Sequence, residues 1–154
     1  MSTENRRVLA IEAHPDDMEF MCSGVLYILG QKRHEISICC IANGDCGSRT
    51  EPPEAITKIR REEALRTAEL LKAAFYPLGE RDLRVHFNDS TVMKVTEYIR
   101  KVDPLIVFTH THADYMADHE MTSRVVRAAC FSAPISNYAT YSILPERGKN
   151  GADD

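Results

Sequence analysis

Two short stretches of the chain concentrate the side chains that do chemistry. The first is His14-Pro15-Asp16-Asp17-Met18-Glu19; the second runs from Thr109-His110-Thr111-His112 through Asp114-Tyr115-Met116-Ala117-Asp118-His119. Imidazole nitrogen and carboxylate oxygen are the donors a catalytic zinc ion takes, three from the protein with one position left for water. His14 and Asp17 stand three residues apart at a turn, so both side chains can face one point, and His119 is the best candidate for the third ligand. Asp16 need not bind metal. A carboxylate beside metal-activated water, whose pKa has already fallen to about 7, can act as general base. His110 and His112 alternate along the end of a strand, so one can face the site while the other is structural. The plainer reading of Asp16-Asp17 is that they cap a helix and complement its dipole; spacing alone leaves both readings open.

These residues need elements to position them. Val8–Ile11, Ile36–Ala42, Ala74–Leu78 and Leu105–Thr109 are short apolar blocks without alternation, as expected of parallel strands covered on both faces. Between them lie helical patterns. One carries Phe20, Met21, Val25, Leu26, Ile28 and Leu29. A long one over 54–74 presents Ile56, Ile59, Leu65, Leu70 and Leu71. A third is capped by Asn88-Asp89-Ser90, and a last one spans about 118–130. The alternation predicts an α/β fold, a Rossmann-like three-layer sandwich with a mostly parallel sheet and helices on both faces. Ligands of such sheets bind beyond the carboxyl ends of the strands, where both polar stretches fall. The glycine-rich Asn43-Gly44-Asp45-Cys46-Gly47 loop falls there too. Arg60-Arg61-Glu62-Glu63 reads by itself as a solvated helix face.

Composition narrows the function. In 154 residues there are 19 Lys and Arg against 23 Asp and Glu, a formal charge of −4, which is poor for neutralising nucleic-acid phosphates. No apolar run approaches the roughly 20 residues of a membrane span. Five cysteines without a CxxC pair fit a reducing, cytoplasmic setting and small buried apolar roles. A receiver-like signalling domain also carries paired acids after its first strand. It needs a phosphoacceptor Asp after the third strand and a Lys after a later one. Phe75-Tyr76-Pro77-Leu78 and Phe108-Thr109-His110 offer neither.

Ala13-His14-Pro15-Asp16-Asp17-Met18-Glu19 after a hydrophobic strand resembles the signature of the PIG-L/LmbE-like deacetylases. Thr109-His110 followed by Asp114 to His119 is similar to that family's second motif. Asn43 to Gly47 and Arg60 to Glu63 resemble weaker features between the two. The resemblance runs from about Val8 to about Cys130. It implies a mononuclear zinc hydrolase acting on an N-acetylglucosamine-type amino sugar, a small N-acetylated substrate. His14, Asp17 and His119 fall on the metal ligands, Asp16 on the general base, and Arg60 near an arginine that contacts substrate.

Two departures stand out. The family often places a histidine three residues before its last ligand, where this chain has Met116; His112 or His110 is expected to substitute. The chain is also shorter than its family, so residues 1–147 are expected to form one domain lacking the C-terminal part of the fold. Residues 148–154 are expected to form a disordered polar tail. An open sheet edge would follow, inviting self-association into a homo-oligomer, and a non-catalytic remnant of the fold is the alternative to an active enzyme.

Overall fold

A computed structural model of the chain describes residues 6–140; the expected tail at 148–154 lies outside them. The elements follow the order β1 (Arg7–Glu12), α1 (Asp17–Met21), α2 (Ser23–Gln31), β2 (Glu35–Ala42), α3 (Pro53–Leu71), β3 (Ala74–Glu80), α4 (Asp89–Val102), β4 (Ile106–Phe108) and α5 (Ala117–Ser132). The four strands form one parallel sheet in the order β3-β2-β1-β4. The expected α/β architecture is therefore present.

Side-chain alternation along β1 divides the core. Val8 and Ala10 point to one face, where Met18, Leu26 and Ala68 bring α1, α2 and α3. Leu9 and Ile11 point to the other, where Val92, Val95, Ile99, Val125 and Ala129 bring α4 and α5. The chain moves outward from β1 through β2 to β3, then returns to the other side of β1 as β4. The order reverses between β1 and β4, which opens a crevice beyond their carboxyl ends, the usual ligand position in such sheets.

Several local expectations are corrected. The single helix over 20–29 is two helices, broken at Cys22, whose ψ is 6°. The helix over 54–74 ends at Leu71, and Lys72 closes it in the left-handed conformation. Its buried stripe is Ile56, Ala64 and Ala68, while Leu70 is exposed. Spacing by four puts Arg60 on that same stripe, so Arg60 faces the protein, not solvent. The strand expected over 105–109, covered on both faces, is only three residues of half-exposed edge. Cys39 and Cys40 are buried as expected, whereas Cys46 and Cys130 are exposed. Asn88 caps α4 by accepting from the Thr91 N–H at 2.9 Å. No described helix is long and apolar enough to cross a membrane.

Arg100 on α4 anchors the segment after α5. Its guanidinium donates to the carbonyls of Ala133 (2.9 Å), Ile135 (2.7 Å) and Tyr138 (2.9 Å). Hydrogen bonds to a charged group contribute about 1.5–3 kcal/mol each when intact. Arg100→Met is expected to destabilise the fold by about 2–4 kcal/mol and to raise amide hydrogen exchange selectively over 133–140. Uniform exchange across the chain would show that Arg100 does not anchor that segment.

Candidate active site

β1 ends at Glu12, and the chain turns sharply through Ala13-His14-Pro15-Asp16 into α1. The Asp16 and Asp17 N–H groups donate back to the His14 carbonyl, at 2.9 and 3.3 Å. Asp16 stands at the N-cap of α1 but makes no side-chain capping bond. Asp17 instead turns its carboxylate inward, where Oδ2 accepts the His14 N–H at 2.7 Å. The capping reading of the acidic pair therefore does not describe this turn.

Three imidazoles surround the Asp17 carboxylate. His14 Nδ1 lies 3.4 Å and His110 Nε2 3.3 Å from Oδ2, and His119 Nε2 lies 3.2 Å from Oδ1. His110 and His119 stack with ring centroids 4.0 Å apart. The crevice thus brings together both stretches: His14 and Asp17 after β1, His110 after β4, and His119 in the first turn of α5. His112, the other candidate in that loop, is exposed and makes none of the cluster's hydrogen bonds.

Each ligand-type ring is steered from behind. His14 Nε2 donates to Asp118 Oδ2 at 2.9 Å, leaving Nδ1 toward Asp17. His119 Nδ1 pairs with Asp114 Oδ1 at 3.1 Å, leaving Nε2 toward Asp17. A carboxylate on the far nitrogen is how metal-binding histidines are commonly oriented. Asp118 is buried and also accepts the N–H groups of Leu83 (2.6 Å) and Val85 (3.3 Å), so it ties the loop after β3 to the site. Sequence reasoning passed over Asp114 and Asp118; their places just ahead of His119 at a helix start were the available signal.

The donors His14, Asp17 and His119 fit a divalent cation. One ligand atom from each lies within 4.8 Å of the others. Ligand atoms 2.0–2.2 Å from one tetrahedral ion are about 3.4 Å apart; His14 Nδ1 stands 3.4 Å from Asp17 Oδ2 and His119 Nε2 stands 3.2 Å from Oδ1. His119 Nε2 is buried and has no hydrogen-bond partner among the described residues, a costly state for a polar atom that a metal would relieve. Asp45, Cys46 and Asp82 also cluster, but their carboxylates are already used. Asp82 accepts the Gly44 and Cys46 N–H groups, and Asp45 accepts the Asp82 N–H and Arg81 Nε. That exchange laces the loops after β2 and β3 together.

Asp16 lies beside the cluster, half exposed. Arg60 Nη2 donates to its Oδ2 at 2.6 Å and to the Pro15 carbonyl, while Nη1 reaches Glu63 Oε2 at 2.7 Å. Gly44, at φ 76°, makes room for this arginine: a Cβ there would come within 2.8 Å of Arg60 Cγ. A cavity of about 570 Å³ opens over Asp16, Asp17, Arg60 and Asp82.

The surroundings shift the ionisations. Burial alone would raise the Asp17 carboxyl, but the imidazoles of His110 and His14 and the His14 N–H hold it far below the usual carboxylate range. Burial alone would lower His14; its hydrogen bonds to Asp17 and Asp118 win and lift it to about 9. Desolvation raises Asp16, against the pull of Arg60 and with the push of Asp17. Hydrogen bonds from the Met116 N–H and from His119 lower Asp114.

Residues 9–130 match the family model described as PIG-L, GlcNAc-PI de-N-acetylase. The chain is 30% identical over 152 residues to the uncharacterised deacetylase YaiS of Escherichia coli, covering 92% of this chain and 79% of that protein. It is 26% identical over 148 residues to the 4-oxalmesaconate hydratase of Pseudomonas putida, covering 90% of this chain but only 57% of the hydratase. Its structure superposes on the N,N'-diacetylchitobiose deacetylase of Pyrococcus horikoshii with a TM-score of 0.82 and 25% identity, covering 87% of this chain and 52% of that one.

The pKa of His14 sets a pH dependence for the metal-free protein. A folded value of about 9 lies above the ordinary 6.5. The stabilisation is therefore fully present below about pH 6.5 and is lost as pH rises through about 9. Asp17 acts in the opposite sense, losing its contribution only as pH falls well below 4. Urea unfolding in chelator should show the midpoint falling between pH 6.5 and 9 in wild type and staying level in His14→Gln. Affinity for a divalent cation should rise over the same interval, because an ion held by His14 must displace the ring's proton.

Proposed function

The chain belongs to the PIG-L family of de-N-acetylases, and we propose that it is a zinc-dependent hydrolase that removes the N-acetyl group of an amino sugar or sugar conjugate. The observation that carries this reading is the convergence of His14, Asp17 and His119, with the buried His119 Nε2 lacking a hydrogen-bond partner among the described residues. These three residues would hold the ion. When bound there, zinc supplies Lewis acidity, polarising an acyl carbonyl and easing deprotonation of water.

The remaining work falls to the chain's own groups. Asp16 accepts the proton of the attacking water at Oδ1, since Oδ2 is held by Arg60. Its raised pKa makes it a better base than an ordinary aspartate. The water oxygen bonds to the acetyl carbon, the C–N bond breaks, and the nitrogen leaves with a proton. Met116, at the position of the family histidine, has no proton to give. We assign that proton to His110, which lies against the Asp17 carboxylate; its Nε2 accepts the Ala13 N–H at 3.0 Å, so Nδ1 carries the proton. Arg60 orients Asp16 and, from the cavity wall, contacts the sugar.

The hydratase relative raises a second reaction. Its name denotes hydration of 4-oxalmesaconate. The relative named a deacetylase is 30% identical and is covered to 79% of its length, whereas the hydratase is 26% identical and covered to 57%. Deacetylation is therefore favoured over hydration.

Asp16→Asn should lower kcat on N-acetylglucosamine conjugates by about 10²–10⁴-fold while elemental analysis still finds one zinc per chain. His119→Ala should lose the zinc. Loss of zinc from Asp16→Asn would make Asp16 a ligand. Among the loop histidines, His110→Ala should slow turnover and His112→Ala should not. No turnover by zinc-loaded wild type on any N-acetylated sugar would favour a non-catalytic remnant of the fold.

A further inference from the structure

The last residue of β1 is a carboxylic acid that the sheet all but closes off from solvent. Glu12 is 4% exposed. It follows Val8 and Ala10 in the alternation of the strand, so its side chain leaves toward α1. Acids are rarely kept in such places without a strong hydrogen bond. Glu12 has one: its Oε2 accepts the Met18 N–H at 2.6 Å, from six residues back along the chain.

That N–H belongs to the first turn of α1, whose donors find no acceptor inside the helix. The residue just ahead of a helix ordinarily supplies one through its own side chain. Here that residue is Asp16, and it makes no such bond. Its Oδ2 takes Arg60 Nη2 instead. Asp17, the next acid, is turned among the imidazoles. Met18 is itself 3% exposed, which keeps water from standing in. The acceptor reaching across from β1 therefore releases both aspartates of the turn from a task that falls to such residues elsewhere.

We propose that Glu12 is a positioning residue of the active site: by taking the Met18 N–H from the strand side, it leaves the Asp16 carboxylate on Arg60 in the cavity wall instead of folded back onto α1. The proton-accepting role of Asp16 comes from the deacetylase reading, on which this inference rests. What Glu12 contributes is reach and an acceptor oxygen; its charge is not required. A side chain one methylene shorter leaves the Met18 N–H unpaired and buried, an unfavourable state that the nearest free oxygen relieves. Asp16, in the capping position, carries that oxygen. Once turned onto Met18, it no longer serves as the base, and Arg60 loses its partner.

Two substitutions separate reach from charge. Glu12→Gln drops the charge and keeps an oxygen at the same length. Glu12→Asp keeps the charge and draws it back. Each is compared with wild type, zinc-loaded, on N,N'-diacetylchitobiose and N-acetylglucosamine. Glu12→Gln should keep the wild-type kcat. Glu12→Asp should lower kcat at least about tenfold, with KM unchanged and one zinc per chain by elemental analysis. Crystal structures should show the Asp16 carboxylate on Arg60 in Glu12→Gln and on the Met18 N–H in Glu12→Asp. A comparable loss of kcat in Glu12→Gln overturns the proposal, since the charge would then matter. Wild-type kcat in Glu12→Asp, whatever its melting temperature, reduces Glu12 to a structural residue and overturns it as well. Zinc lost from Glu12→Asp also overturns it, placing the effect on the ligands and not on Asp16. If Glu12→Asp does not fold, Glu12→Gln decides by the same kcat criterion. If wild type cleaves neither sugar, the deacetylase reading fails and the crystal structures decide alone. Asp16 turned onto Met18 in Glu12→Asp then supports the positioning role, and Asp16 still on Arg60 overturns it.

Discussion

The carboxylate of Asp17 sits among three imidazole rings, and the geometry of the crevice follows from making a charge stable there. Taking a carboxylate out of water costs several kcal/mol unless partners replace the lost hydration. His14 supplies its backbone N–H and its ring, and the rings of His110 and His119 close in to 3.3 and 3.2 Å. Those rings must then be oriented in turn, which is the task of Asp114 and Asp118. The result is alternating acid and imidazole reaching from the turn after β1 to the start of α5. Two strands must be adjacent for it to close, and adjacency of β1 and β4 is what the reversal of strand order provides.

The elements that read clearly from sequence are those whose signals are local. Short apolar blocks, the Asn88 cap and the polar turn after Ile11 each depend on a few neighbouring residues, and each has its counterpart in the structure. The places where reading failed are those decided by distant partners. The apolar block at 105–109 reads as a five-residue strand covered on both faces, yet only Ile106–Phe108 pair, at an edge of the described sheet. Residues 20–29 have helical periodicity throughout, but the break at Cys22 is invisible in it.

At the candidate site the division is similar. The spacing of His14 and Asp17 and the placement of His119 at a helix start were enough to bring the three together on paper. The supporting acids were not, because a second-layer aspartate has no spacing rule of its own. Arg60 shows the reverse error. Within Arg60-Arg61-Glu62-Glu63 it looks like one more surface charge, but the stripe Ile56-Arg60-Ala64-Ala68 places it inward, and Gly44 lacks the side chain that would obstruct it. Two small residues and a glycine marked the path of the arginine more plainly than its charged neighbours did.

The sheet register has a consequence for how the molecule comes to exist. Val8 of β1 pairs with Ile36 on one side and with Ile106 on the other. The first partner follows within roughly thirty residues and the second only after roughly a hundred, a long-range closure of the kind that slows folding. During synthesis from the N-terminus, β1 has one bare edge until α4 and then β4 have emerged, and unpaired edges are where chains stick to one another. The imidazole of His110 arrives with that late strand. A nascent chain therefore carries His14 and Asp17 well before the crevice that gives them a purpose can assemble, and the interval is one in which a chaperone able to shield β1 would have the most to do.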